Sequence, residues 1–490
     1  MDKPISKESL SHLCDEMGKT IQELFPLLQE RIHSLATLNI LLSEGKIDQD
    51  SFNTYKNILE LHASVLYAII EVECAFRADF HSEKVIEKRL NLKYIVFIIS
   101  EFFKATFTSS NGIWNKVSKY LLSLDNSGDL SETINCINDR VNTYQDLYYD
   151  KDKEKRDMSV HYDFDINKLY NYLVDISEKA ETDRVYHFLS IILPLNKLLL
   201  IPSTILIAGL NKDAKSEFLN TEYDDVIFKQ FKNDLYPKLG DSLESFTTTT
   251  YDNMRIYNMP ENLSKEFLSS LGDAGLAKIK EIRDNCKLGI LLPFIYLDLG
   301  TAIRGYIKSE TNIERRWNLI RVNLIIYEGW KKIYLPENAD EKSFWRKEIY
   351  ESIPIENNDL KTESDSVEQM LNSYENNNVI KSIRHHYIHL RKKRAFNLPF
   401  LLDELSKLNE FNELAKVLDF INILPKIYKL SSAIIRIASA KEDNKYKQEF
   451  LEPMNKLKQS IDNSNKSEKD KDDLRKLLDN GQDELKKLFD

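Results

Sequence analysis

An arginine followed five positions later by a histidine occurs twice in register in this chain, as Arg156 and His161 in RDMSVH and as Arg384 and His389 in RHHYIH. The residue types suit one reaction. Cutting an RNA strand without a metal needs a base for the 2′-hydroxyl proton, an acid for the leaving 5′-oxygen, and a cation for the charge building on the phosphorane. Histidine titrates near neutrality and can take either proton role, while arginine stays charged and grips phosphate oxygens through its fork. His161 and His389 are therefore the candidate acid and base, in either order, and Arg156 and Arg384 the candidate phosphate clamps. With 18 arginines and 9 histidines in 490 residues, roughly 0.3 such pairs are expected by chance, so one pair alone would read as solvated surface. Five residues along a helix leave two side chains about 140° apart, which rules out a simple contact on one helical face. Both members must face a crevice shared by several helices, or the helix must end between them.

What raises the pair above chance is a second, independent recurrence. EKRLNLKYIVFIISEFFKAT at 87–106 is matched by ERRWNLIRVNLIIYEGWKKI at 314–333, an offset of 227 that also sets Arg77 opposite Arg304. Downstream, Trp114 matches Trp345, and VYHFLSIILPLNKLLL from 185 matches VLDFINILPKIYKLSS from 417. The two Arg-x4-His pairs are 228 apart, as are Asp175 and Asp403. The chain therefore reads as two tandem copies of one unit, each carrying the pair at the same place. Glu101 and Glu328, also equivalent, sit among apolar residues and are candidate buried partners for a motif arginine.

Apolar residues recur at helical spacing in each copy: Leu92, Ile95, Val96, Ile99, Phe102 and Phe103 in one, Leu319, Val322, Ile326 and Trp330 in the other. Gly (13) and Pro (12) are scarce, and 42% apolar residues with 10% aromatics supply a sizeable core. The expectation is an all-α protein of two related helical bundles packed as an internal pseudo-dimer. The boundaries fall at 1–215, 216–455 and a charged helical tail at 456–490. The polar stretch 356–378 is expected to be a mobile loop beside the second motif. The apolar run 188–210 has the length of a membrane span, but its twin carries Lys426, Lys429 and Arg436. It therefore reads as a helix buried in protein, broken or kinked near Pro194, and no membrane is expected.

An all-α unit carrying R-x4-H, with a polar residue directly after the arginine, resembles the HEPN superfamily (higher eukaryotes and prokaryotes nucleotide-binding domains). The polar residues here are Asp157 and His385, and the likeness covers roughly 60–215 and 285–440. The resemblance implies two such units face to face, both motifs lining one cleft, and metal-independent cleavage of RNA. It also implies a toxin or anti-phage role, with an inhibitor or trigger protein to restrain the enzyme. Asp157 and His385 would orient the catalytic groups.

The net charge of −10 excludes a protein that coats nucleic acid by global attraction, so RNA contacts must be local. Lys151, Lys153 and Lys155 precede the first motif, while Lys381, Arg391, Lys392, Lys393 and Arg394 surround the second. The latter run has no acidic neighbours and is the stronger candidate for phosphate contacts with a tRNA or mRNA. Tyr162 and Tyr387 could stack on bases. No cofactor is expected, and His385, His386 and His389 lack the cysteines or spaced carboxylates that would complete a metal site. Four dispersed cysteines without a C-x-x-C pair fit buried thiols in a reducing cytoplasm. The rival expectation is a non-catalytic nucleotide or RNA binder, or a helical scaffold, with the oligomeric state open.

Overall fold

Long apolar-periodic segments with few glycines leave the backbone one economical way to satisfy its hydrogen bonds, and among the described residues no strand forms. The computed structural model describes residues 7–108, 112–125, 128–150, 166–210, 228–258 except 230, 272–336, 343–353, 357–375, 410–463 and most of 467–479. The protein is all-α. In the first half, α1 (Lys7–Ser43), α2 (Gln49–Phe80), α3 (Val85–Thr106), α4 (Ile113–Ser123) and α5 (Asp129–Tyr144) precede α6 (Ile166–Asp175) and α7 (Glu178–Leu210). In the second, α8 (Tyr236–Asn258), α9 (Gly272–Lys308) and α10 (Asn312–Tyr334) precede α11 (Asn358–Glu375) and α12 (Glu410–Asp462). A single π-turn, Gln145–Tyr149, extends α5, and another covers Trp345–Ile349.

The chain forms two compact units: one of Met1–Ser245, Ile295–Lys331 and Ser373–Phe420, the other of Phe246–Phe294, Lys332–Asn372 and Ile421–Asp490. These units follow packing and are not the segments 1–215 and 216–455 marked by the sequence. The first unit is built around α3, whose residues from Leu90 to Phe103 are buried on every face, as an apolar-all-round helix must be. Gly45, at φ 66°, ends α1, and Lys46 N–H returns to the Leu41 carbonyl at 2.9 Å. This is the left-handed stop that glycine allows without strain. Asp48 then caps α2, its Oδ1 accepting from the amides of Asp50 and Ser51 at 3.0 and 2.8 Å.

Within the first unit, contacts recur between residues 227 apart, and they cross over. Arg77 on α2 donates to Glu314 and Glu310 at the start of α10, while Arg304 on α9 donates to Glu87 and Glu83 at the start of α3. Glu87 and Glu314 each serve twice. One oxygen takes the opposite arginine; the other accepts its own helix's first amides, Lys84 N–H at 2.9 Å and Thr311 N–H at 2.7 Å. Asn91 donates to Ser82 at 2.8 Å and Asn318 to Ser309 at 3.0 Å, again 227 apart.

Each lock arginine also reaches a carbonyl on a further helix: Arg77 that of Cys14 on α1, and Arg304 that of Tyr236 on α8, the latter at 2.8 Å. One turn on stands a glycine. A Cβ at Gly18 would lie 2.8 Å from Arg77 Nη1, and one at Gly240 would lie 2.8 Å from Arg304 Nη1. Because both guanidiniums are pinned by several acceptors, they have little room to yield. Gly18→Ala and Gly240→Ala are each expected to lower the melting temperature, by similar amounts, despite alanine's better helix propensity. Thermal unfolding followed by circular dichroism checks this; a gain in stability from either would show that the arginine moves aside freely.

A second buried polar knot ties α1, α2 and α7. Arg31, almost fully buried, donates to His62 Nδ1 at 3.4 Å and Thr204 Oγ1 at 3.1 Å, and pairs with Glu30. His62 Nδ1 lies 2.6 Å from Ser203 Oγ, and Nε2 donates to Asn196 Oδ1 at 3.0 Å. Burial, reinforced by the Arg31 charge, pushes the imidazole down to about 4. Since the unfolded histidine titrates near 6.5, the neutral ring stabilises the fold above that pH, and the contribution is lost as pH falls towards 4. The loss amounts to about 3 kcal/mol. His62→Gln is expected to flatten the unfolding free energy between pH 6.5 and 4, read from urea titrations at stepped pH; an unchanged slope would remove His62 as its source.

Several sequence expectations change. Residues 358–375, expected as a loop, form helix α11: its apolar residues are few but regular, with Ser364, Val367, Leu371 and Tyr374 buried at helical spacing. Helix α7 runs unbroken through Pro194 and Pro202. It is also less buried than expected, leaving Leu193, Leu200, Ile201 and Ile205 exposed. By length and composition α7 and Lys287–Lys308 of α9 are apolar enough to cross a membrane, but the α9 window is 94% buried in protein and the α7 window 33%. Cys14 and Cys74 are buried thiols, whereas Cys136 is exposed. The tail turns back on α12, with Lys458 pairing with Asp479 at 2.6 Å and Arg475 with Asp462 at 2.7 Å.

Candidate functional site

Arg156, Asp157 and His161, with Lys151, Lys153, Lys155 and Tyr162, lie outside the described residues. So do Arg384, His385, His386 and His389, with Lys381, Tyr387, Arg391, Lys392, Lys393, Arg394 and Asp403. What the structure places is the helical frame on either side of each motif, and the frames correspond.

The first motif follows α5 and its π-turn. Ile134, Ile137, Val141 and Tyr144 form the buried stripe of α5, with Tyr144 against Phe188 of α7 at 6.2 Å between ring centroids. The second motif follows α11, whose buried stripe of Ser364, Val367, Leu371 and Tyr374 keeps the same spacing. Tyr374 meets Phe420 of α12 at 5.5 Å. Phe188 also packs on Phe102 of α3 at 5.6 Å, while Phe420 lies over Gly329 of α10, 227 residues after Phe102, 3.4 Å from where a Cβ would be.

Helix α7, which follows α6 downstream of the first motif, and helix α12, downstream of the second, each carry near their start an ion pair of one pattern. Glu181 meets Arg184 at 3.2 Å, and Glu413 meets Lys416 at 2.6 Å, each three residues apart with both carboxylates almost fully buried. These pairs, ETDR at 181–184 and ELAK at 413–416, were legible as E-x-x-[R/K] at one offset, yet composition alone gives no reason to single them out. A carboxylate three residues before a cation at a helix start also suits the helix dipole. Glu101 and Glu328 are both buried. Asp175 is exposed at the end of α6.

Beside the point where the described chain enters the first motif, Tyr148 stands under the Arg184 guanidinium at 5.4 Å, and its hydroxyl lies 2.8 Å from His187 Nδ1. His187 is exposed. An aromatic ring, a cation and an exposed imidazole are groups that engage nucleobases and phosphates. Sequence reading passed over His187 because it lacks an arginine at motif spacing.

No family model, curated protein or solved structure matches this chain. The frame's own chemistry is the remaining guide. Among the described residues no group of three or more His, Cys, Asp or Glu side chains is placed to hold a metal ion. Helix α2 carries acids that burial holds protonated well into the neutral range: Glu60 is raised to about 7, Asp79 to about 7 and Glu73 to about 8. Such groups belong to the core of the fold, and none lies within a motif.

Proposed function

We propose that this chain is a tandem HEPN-like endoribonuclease, with two copies of one helical unit whose Arg-x4-His motifs share a single composite cleft. One observation carries the reading: Arg156/His161 and Arg384/His389 recur in register with flanking helices that repeat the same buried contacts. Tyr144–Phe188 answers Tyr374–Phe420, and Glu181–Arg184 answers Glu413–Lys416. Independent helices would have no reason to keep these partners in step with a catalytic pair between them.

In this reading one histidine accepts the 2′-hydroxyl proton, the other protonates the leaving 5′-oxygen, and Arg156 and Arg384 hold the non-bridging oxygens as charge develops. Asp157 and His385 orient these groups, and Lys155, Lys381 and the 391–394 run bind the flanking phosphates. The substrate is RNA, tRNA or mRNA, and the setting a toxin or anti-phage abortive-infection effector acting in the cytoplasm. A nuclease of this kind needs an inhibitor or trigger protein. The test is cleavage of total RNA and tRNA by purified protein in EDTA, beside the Arg156→Ala/His161→Ala and Arg384→Ala/His389→Ala variants. Products ending in 2′,3′-cyclic phosphate, lost in both variants, are the expected outcome; equal cleavage by all three proteins would sink the assignment.

A further inference from the structure

Where two equivalent residues of a duplicated unit touch one another, they mark the axis that relates the copies. Besides Lys308 Nζ, which donates to the backbone carbonyl of its equivalent His81 at 3.0 Å, two further such contacts are found among the described residues. A Cβ at Gly305 would lie 3.5 Å from Cβ of Ala78, and the Arg321 guanidinium lies over the Tyr94 ring at 4.7 Å; both pairs are 227 apart. The first is nearly symmetric in chemistry. The second is not, because it sets a cation against an aromatic face.

The Arg77 and Arg304 locks do not distinguish one copy from the other. Each copy carries the arginine and the two glutamates, so these three groups would pair between any two copies, including copies from different chains, although Lys308 joins Glu83 at one end only. Around Tyr94 and Arg321 the chemistry is one-sided. Asp298, buried, accepts from Lys93 Nζ at 2.9 Å and from Arg321 Nη2 at 3.4 Å. Arg321 also donates to Asn91 and to the Leu90 carbonyl, the latter at 3.3 Å. The residues equivalent to Asp298, Asn91 and Lys93 are Glu71, Asn318 and Ile320. A second-copy face set against another second copy would bring two buried guanidiniums together, with no Lys93 and no aromatic ring between them. Each guanidinium would keep Asp298 of its own copy, but the two like charges would face one another where the Tyr94 ring now lies, which is unfavourable inside a protein.

We infer that the Tyr94–Arg321 contact is where the two copies tell themselves apart: it directs each copy to pair with the other and refuses a second chain's second copy. This rests on the duplication, not on the nuclease chemistry. The same geometry says the determinant can be exchanged. An arginine at 94 would find Glu71, which already accepts the Tyr94 hydroxyl at 3.4 Å, in the place of Asp298, and Asn318 in the place of Asn91.

The test compares four full-length proteins by thermal unfolding and light scattering: wild type, Tyr94→Arg, Arg321→Tyr, and the exchange Tyr94→Arg/Arg321→Tyr. Each single change should lower the melting temperature, Tyr94→Arg the more. The exchange should recover at least half of what Tyr94→Arg loses and keep the wild-type oligomeric state. If Tyr94→Arg fails to fold, soluble and cooperatively melting exchange protein is the same rescue. An exchange variant that loses the sum of the two single effects, or fails to fold while Arg321→Tyr folds, would overturn the inference. RNA cleavage is not the readout, so the result stands apart from the nuclease assignment.

Discussion

Replacing His161 or His389 by alanine is expected to slow RNA cleavage by roughly 10²- to 10⁴-fold while leaving RNA affinity close to the wild-type value. A general acid or base acts on a proton in flight, so its removal costs turnover rather than ground-state binding. The two variants should be similarly impaired and their combination little worse than either, because a composite site fails when either proton path is cut. Arg156→Ala and Arg384→Ala should lose binding as well as rate, since in the proposed site the arginines hold phosphate before and during reaction. Single-turnover cleavage in EDTA beside a filter-binding titration separates these effects. Equal activity in both histidine variants and the wild type would remove the catalytic reading. Tight RNA binding by a wild type that never cuts, tested across tRNA and mRNA and with candidate triggers, would favour the binding module.

The second large effect falls on stability. Arg77→Ala strips Glu314, Glu310 and the Cys14 carbonyl of their partner and leaves Glu314, itself almost wholly buried, with an uncompensated charge, at a cost of about 3–5 kcal/mol. Arg304→Ala should cost a like amount, because Glu87 is equally buried. The two ends are not chemically identical. Burial raises the Cys14 thiol at the Arg77 end to about 11, against the pull of Arg77. The Arg304 end is richer in charge, with the guanidinium 3.8 Å over the Tyr236 ring and Lys308 reaching Glu83 at 2.7 Å. In the Arg304 variant Lys308 still holds Glu83 and of the two carboxylates only Glu87 is stranded, so this variant should be slightly the milder of the two. Urea unfolding of both proteins measures the difference; a change below about 1 kcal/mol in either would mean that water relieves the stranded carboxylate.

Much of the fold could be read from the chain because burial writes a period into sequence. The run LNLKYIVFIISEFF is apolar on every side and can only be a central helix, and its twin, found by offset, predicted an equivalent one. The match of Arg77 to Arg304 was equally visible. Their crossed partners were not, although Glu87 and Glu314 sit in the matched EKR and ERR, because the sequence shows which residues are equivalent and not which copy each will face. Helix α11 was missed for the opposite reason. Its stripe is four residues wide in an otherwise polar stretch, and composition outweighed period. Pro194 suggested a break that α7 does not make, since the neighbouring turns hold the helix through it and through Pro202. The motif residues stand out by type and spacing but lie outside the described residues; the grouping of Tyr148, Arg184 and His187 does not show in sequence, since it depends on the end of α5 meeting the start of α7.

The double duty of Glu87 and Glu314 ties two events that are usually separate. In most proteins the first turn of a helix frays on its own, many times for each global unfolding. Here the carboxylate that caps α3 is the one that holds Arg304, and the one that caps α10 holds Arg77. Opening either helix start therefore loosens the joint between the halves, and parting the halves removes the arginine that holds each capping carboxylate in place. The cheapest local motion of an ordinary helix end is thereby promoted into a cooperative one, and the two halves of the first unit share a single melting event instead of owning one each.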